Sequence, residues 1–344
     1  MSEKEQKTVE PISIKDFDFM PYGRYWNLRK ERGTKTDKYE AYMTIDPPVE
    51  RPLRFGMTIC ENKKDFLIDS MERHMSTEEV LFAGDKPIIL SVAKSDPNQA
   101  PKAEDVVSLL MEPGDLVVMK RGIWHDACHA VEGDAMYYFL ACNNGNPQET
   151  TWINIVPEPV KVTVASLKVE AVSGLAEQVD NVMGEKGKNI KAIHATKENF
   201  AKFGTVIRLK DTKCFEGDGW KCWLSEDVCM DQPAHFGITY VNTYPPYRVD
   251  SMERHTKTKE LMVCGEKSPI VVALADSDPS GRAKSADVQG FYIEPGEALV
   301  INKGIWHDAC RAFEAKTHYY FLSLETDEPA VFQPIEGDFI TIER

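Results

Sequence analysis

The chain has 344 residues, of which 42% are hydrophobic and 28% charged. That balance belongs to folded globular units and excludes a disordered or fibrous chain, and the length suffices for two domains with their own cores. A formal net charge of -14 argues against nucleic acid or an anionic membrane as partner, so an anionic small-molecule substrate must meet local positive charge.

No run approaches the roughly 18 consecutive apolar residues needed to span a bilayer. The start "MSEKEQKTVEP" has no apolar signal core, so the expected location is cytoplasmic, with no membrane contact. The eight cysteines are scattered without a framework spacing and read as reduced thiols, with Cys128 and Cys310 expected as small buried residues.

Taken in chain order, "IKDFDFMPYG" predicts a turn of helix leading in, and "SMERH" (Ser70 to His74) predicts a strand. On a strand, residues two apart face the same way, so Glu72 and His74 point together and Arg73 points away, towards an acid. The polar "MSTE" then predicts a turn, after which Glu79 opens an apolar strand. "PIILSVAK", "GDLVVMKRGIWH" and "AMYYFLAC" are short β-branched or aromatic strands punctuated by Pro and Gly. "ASLKVEAVSGLAEQVDNVMGEKGKN" carries apolar residues at helical spacing and a glycine-rich stop, the pattern of a linker with a short helix. "TKENFAKFG", a second "SMERH" (Ser251 to His255), "PIVVALAD", "GEALVINKGIWH" and "HYYFLSL" then repeat the first series.

The repeat is colinear. Gly23 answers to Gly204 at an offset of 181 (204 - 23), and His74 to His255 at the same offset (255 - 74). Glu112-Pro113-Gly114 answers to Glu294-Pro295-Gly296 at 182 (294 - 112), so one residue has entered after His74. Ordered matches from Phe19 to Leu140 and from Phe200 to Leu322 mark a duplicated domain. The expected organisation is a first unit over 1–162, a linker over 163–192 and a second unit over 193–344. Many short strands with Gly and Pro turns predict an all-β sandwich or barrel for each.

Glu72, His74 and Glu79, joined by His125 from the later word "GIWHDAC", make one constellation; Glu253, His255, Glu260 and His307 make its copy. Two imidazoles and two carboxylates suit a divalent transition metal (Mn, Fe, Ni, Co or Zn) and suit neither soft copper nor an all-oxygen calcium site. Buried without a cation, the carboxylates would repel each other. Three readings stand: a metal site, a metal-free polar pocket, or exposed strand residues that recur in pairs. Lys120 and Lys303, two residues before the motif glycines, are the candidates for meeting a substrate carboxylate, against a plain solvated strand end. Trp124 and Trp306 alternate with the histidines and are expected to pack between sheets.

An acid and a histidine two residues apart, then H-x4-E, a Pro-Gly turn and G-x2-H together resemble the two signature motifs of the cupin superfamily, with Glu72 standing where many cupins have a first histidine. "MERH" followed by "KRGIWHDA", and the lead-in "KENFAKFGTVI", resemble the bacterial ureidoglycolate lyases, a cupin family of about half this length. The resemblance implies two tandem cupin double-stranded β-helix (jelly-roll) barrels with short helices, paired within one chain, with a homodimer of chains as a further level. It implies Glu72, Glu79, Glu253 and Glu260 as catalytic candidates beside the metal ligands. The implied reaction is metal-assisted cleavage of the carbon-nitrogen bond of ureidoglycolate to glyoxylate and urea, a step of allantoin breakdown. One departure stands out: the lyases tend to have glutamine where this chain has Glu79 and Glu260, which is more like a metal-binding cupin. Another metal-dependent cupin reaction on a small hydroxy or keto acid or a sugar derivative, and a non-catalytic ligand-binding cupin, are the rival readings.

Overall fold

In a computed structural model of the chain, side chains are described for residues 57–163 and 237–342, with short interruptions, and elsewhere only the backbone of strands is described. The lead-in turns before Gly23 and Gly204 lie outside the described residues, as does the linker helix. A strand, Lys188–His194, occupies the end of the expected linker. Among the described residues every regular element is a strand except the short 3-10 turns Ala103–Asp105 and Ser285–Asp287.

Each unit is a jelly-roll barrel built from two facing sheets. In the first, the large sheet runs Gly23–Asn27, Asp115–Met119, Glu79–Ala83, Ala135–Cys142, Leu53–Cys60. In the second, the same order is given by Gly204–Arg208, Glu297–Ile301, Glu260–Cys264, Thr317–Leu324 and Ala234–Val241. Beyond these strands the chain crosses over: Trp220–Val228 pairs with Leu53–Cys60 and Tyr39–Thr44 pairs with Ala234–Val241, both antiparallel. The opposite sheet of each unit centres on Ile88–Ala93 or Ile270–Ala275, which receive the short motif strands Trp124–His125 and Trp306–His307.

The central strands are apolar on both faces because each face meets a different core. Along Glu79–Ala83, Leu81 and Ala83 enter the barrel interior with Val117, Met119, Val92 and Cys128. Val80 and Phe82 turn outwards and join Leu116, Val118 and Tyr138 in a core that includes Leu261, Val263, Val300 and Tyr320 of the second unit. Strand alternation thus assigns Glu79 to the interior face, where a carboxylate has no water to solvate it. The tyrosines of this shared core are reciprocal: Tyr138 Oη donates to the Cys264 carbonyl at 3.1 Å and Tyr320 Oη donates to the Ala83 carbonyl at 2.6 Å. Trp124 and Trp306 pack in the outer layer between sheets, as expected, with Ile155, Val160 and Met71 around the first.

Candidate metal centre

The two sequence words meet through their backbones. Glu72 N–H donates to the His125 carbonyl at 2.9 Å and His125 N–H returns a bond to the Glu72 carbonyl at 2.9 Å, and Glu253 and His307 do the same at 2.9 and 2.8 Å. The strand through "SMERH" is shorter than its pattern implied, covering only Ser70–Met71. Glu72 and His74 still come to one place, because the bridge to His125 fixes the first. Gly122 fixes the second: its N–H donates to the His74 carbonyl at 2.7 Å. That contact needs a backbone turn at φ 80°, which a residue without Cβ reaches at no steric cost; Gly304 does the same at φ 81°.

Glu72, His74 and His125 each bring one ligand atom to within 4.8 Å of the others, as do Glu253, His255 and His307. Ligands about 2.1 Å from an ion lie about 3 Å apart when adjacent and about 4.2 Å when opposite, so the span suits a single cation. Glu79 closes the set: its Oε2 is 3.1 Å from His125 Nε2 and 3.7 Å from His74 Nε2. Glu260 matches it at 3.1 Å from His307 and 3.8 Å from His255. All four positions predicted in each half are therefore brought together.

The buried groups perturb one another. Burial, resisted by His125 and reinforced by Glu79, pushes Glu72 up to about 7, and burial does the same to Glu253. For Glu79 and Glu260, burial works upward, but the adjoining His125 or His307 outweighs it and leaves the carboxyl below its ordinary range. His125 and His307 rise to about 9: burial opposes their charge, and the carboxylates beside them prevail.

These donors fit a metal ion. His125 Nδ1 is 3.2 Å from the Ile123 carbonyl and His307 Nδ1 3.1 Å from that of Ile305, contacts that place the N–H on Nδ1 and leave Nε2 to face the carboxylates. Glu79 Oε2, Glu260 Oε2 and His307 Nε2 are buried, yet none makes a well-directed hydrogen bond. A shared proton would sit on a line between two of these atoms; a cation needs only that their lone pairs converge.

The family model described as ureidoglycolate lyase matches residues 187–334, the part that carries the second constellation. The second half of the chain is similar to that family, and the fold of both halves is a jelly-roll barrel. The chain's overall form resembles a tandem duplication of that family's unit. Over 144 residues the chain is 25% identical to a ureidoglycolate lyase of Burkholderia cepacia, covering 39% of the chain and 78% of that protein. Among solved structures, vicilin from Capsicum annuum superposes with a TM-score of 0.43 at 10% identity, covering 92% of this chain and 89% of that one. Oxalate decarboxylase of B. subtilis superposes with a TM-score of 0.40 at 10% identity, covering 91% and 79%.

Lys120 and Lys303 are exposed, each in the turn that the glycine contact ties to the site histidine. The Arg73 guanidinium lies 4.2 Å above the Trp124 ring, and that of Arg254 lies 4.6 Å above Trp306. Cys128 and Cys310 are buried free thiols that burial pushes well up, which keeps them un-ionised. Two residues not among the sequence candidates, Asp126 and Asp308, follow the motif histidines, and their charge helps raise Glu72 and Glu253. Their signal was the shared "HDAC". Among the described residues no helix is long and apolar enough to cross a membrane.

Proposed function

We propose that this chain is a bicupin and a ureidoglycolate-lyase-like enzyme of the cytoplasm with one metal centre in each unit, held by Glu72, His74, Glu79 and His125 and by Glu253, His255, Glu260 and His307. The observation that carries the reading is the pair of buried, poorly hydrogen-bonded atoms of Glu260 and His307, matched by Glu79 in the other unit. A divalent transition ion bound there supplies a Lewis acid for the hydroxyl and carboxylate oxygens of the substrate.

The chain's own groups then handle the proton. Glu72 and Glu253, which line each centre beside its histidines, are the carboxyls placed to take and return a proton. Each accepts the proton of the ureidoglycolate α-hydroxyl as the carbon-oxygen double bond of glyoxylate forms. The bond from that carbon to nitrogen breaks, and the same carboxyl returns the proton to the departing urea nitrogen. Glu79 and Glu260, below their ordinary range, stay ionised as ligands. Lys120 and Lys303 meet the substrate carboxylate from the rim, and the two units work as a pair within one chain, a reading the reciprocal tyrosine bonds support.

The test is glyoxylate release from ureidoglycolate by protein loaded in turn with Mn, Fe, Co, Ni and Zn. Release that falls by about 100-fold or more in Glu72→Gln/Glu253→Gln, the range for a proton-transfer group, is the expected result. Metal-loaded protein that releases neither glyoxylate nor urea overturns the lyase reading, leaving a different cupin reaction or a binding role.

A further inference from the structure

Beside each metal centre, the loop that follows the motif histidine is held in a different way in the two units. In the second unit Asp308 is enclosed. Tyr247 Oη donates to its Oδ2 at 3.0 Å and to the Ala309 carbonyl at 3.2 Å. The Arg311 guanidinium donates to Asp308 Oδ2 at 3.3 Å and to the carbonyls of Ala309 and Cys310 at 2.8 and 3.0 Å, while lying 5.0 Å over the Tyr247 ring. Arg311 and Asp308 expose only 1% and 4% of their side chains.

The corresponding residues of the first unit are Phe66, Asp126 and His129 (247 - 181, 308 - 182 and 311 - 182). There the tyrosine hydroxyl and the guanidinium fork are both missing. His129 Nε2 makes a 2.9 Å bond with Asp126 Oδ2 and stacks on Phe66 at 3.6 Å, and the pair expose 17% and 12%. Common to both are the bond from the next backbone N–H to the aspartate, at 2.9 and 2.8 Å, and the bond from the aspartate N–H to the Ser91 or Ala273 carbonyl, at 3.1 Å in each.

We infer that Tyr247 and Arg311 are positioning residues that clamp the loop after His307, so that the second unit releases a bound metal ion more slowly than the first. The inference rests on the metal reading above. Outer partners that fix a ligand's orientation lower the chance that the ligand swings off its ion, an effect of about 10- to 100-fold. Arg311 acts by geometry as well as charge, since its planar fork reaches two carbonyls and a carboxylate at once. His129 has one such contact and borders solvent.

The experiment loads the full chain with Zn²⁺ and follows its capture by an excess of a chromogenic chelator. Two phases of equal amplitude are expected, separated by about 10- to 100-fold in rate. His255→Ala removes the slow phase and His74→Ala the fast one. Tyr247→Phe/Arg311→His installs the trio that the first unit already carries and speeds only the slow phase; Tyr247→Phe alone, which keeps the buried charge, gives a smaller shift in the same direction if the double variant fails to fold. A general loosening of the fold would move both phases. One rate for both ions, or a slow phase indifferent to both variants, overturns this inference and leaves the metal reading intact; a chain that takes up no zinc overturns both.

Discussion

Glu260 Oε2 stands 3.1 Å from His307 Nε2, and the equivalent atoms of Glu79 and His125 stand at the same 3.1 Å. Identical spacing in two copies that differ elsewhere points to a constraint on the site itself. If that constraint is a bound ion, each histidine word is needed for its own ion. His74→Ala and His255→Ala should each halve the metal content found by elemental analysis, and the double variant should abolish it. Undiminished content in the double variant would remove these histidines from the ligand set.

The pH dependence of metal-free protein has a defined sign. Glu72 and Glu253 lie at about 7 in the fold, above the usual carboxylate value, so the stability they contribute is present at low pH and is lost as pH rises through 7. His125 and His307 lie at about 9, so theirs is present below the ordinary histidine value and is lost as pH rises through 9. Both trends run the same way: the Tm of metal-free protein should fall between neutral pH and pH 9. Glu79 and Glu260 are lowered, so stability should also be lost on strong acidification. Metal should bind more tightly as pH rises over the same window, releasing protons that titration in weak buffer can count.

Tyr138→Phe and Tyr320→Phe each remove one buried hydrogen bond to the other unit while keeping the ring. A loss of about 1 kcal/mol in denaturant unfolding is expected for each, with metal content unchanged. A change in metal content would mean that the shared core reaches the centres.

Arg73→Ala removes the guanidinium over Trp124 and should cost about 1 kcal/mol without altering metal binding. A loss of metal on this substitution would show that the stacking holds Glu72 and His74 in place.

Much of the site could be read in the sequence because all four groups fall in short words whose copies vary together. The side of the strand that Glu79 faces was implied by the apolar run that it opens. Alternation gives the direction of the Arg73 side chain but not its neighbours, so the indole of Trp124 beneath its guanidinium could not be read from the sequence. The difference between His129 and Arg311 was visible, but its meaning depended on Phe66 and Tyr247, far along the chain and brought near only by the fold. The strand crossover could not be seen either. Duplicated units offer each hairpin two equivalent sheets, and local pattern cannot say which one it joins.

That crossover, in which Trp220–Val228 lies along Leu53–Cys60 and Tyr39–Thr44 along Ala234–Val241, bears on how the protein can be handled. A cut in the linker would strip each half of a neighbouring ribbon and uncover a full-length row of N–H and C=O groups at Leu53–Cys60 or Ala234–Val241. Such a row is a template for any passing strand. Halves expressed singly should therefore stick to themselves, and halves made together should find one another and rebuild the original sheets across a broken chain.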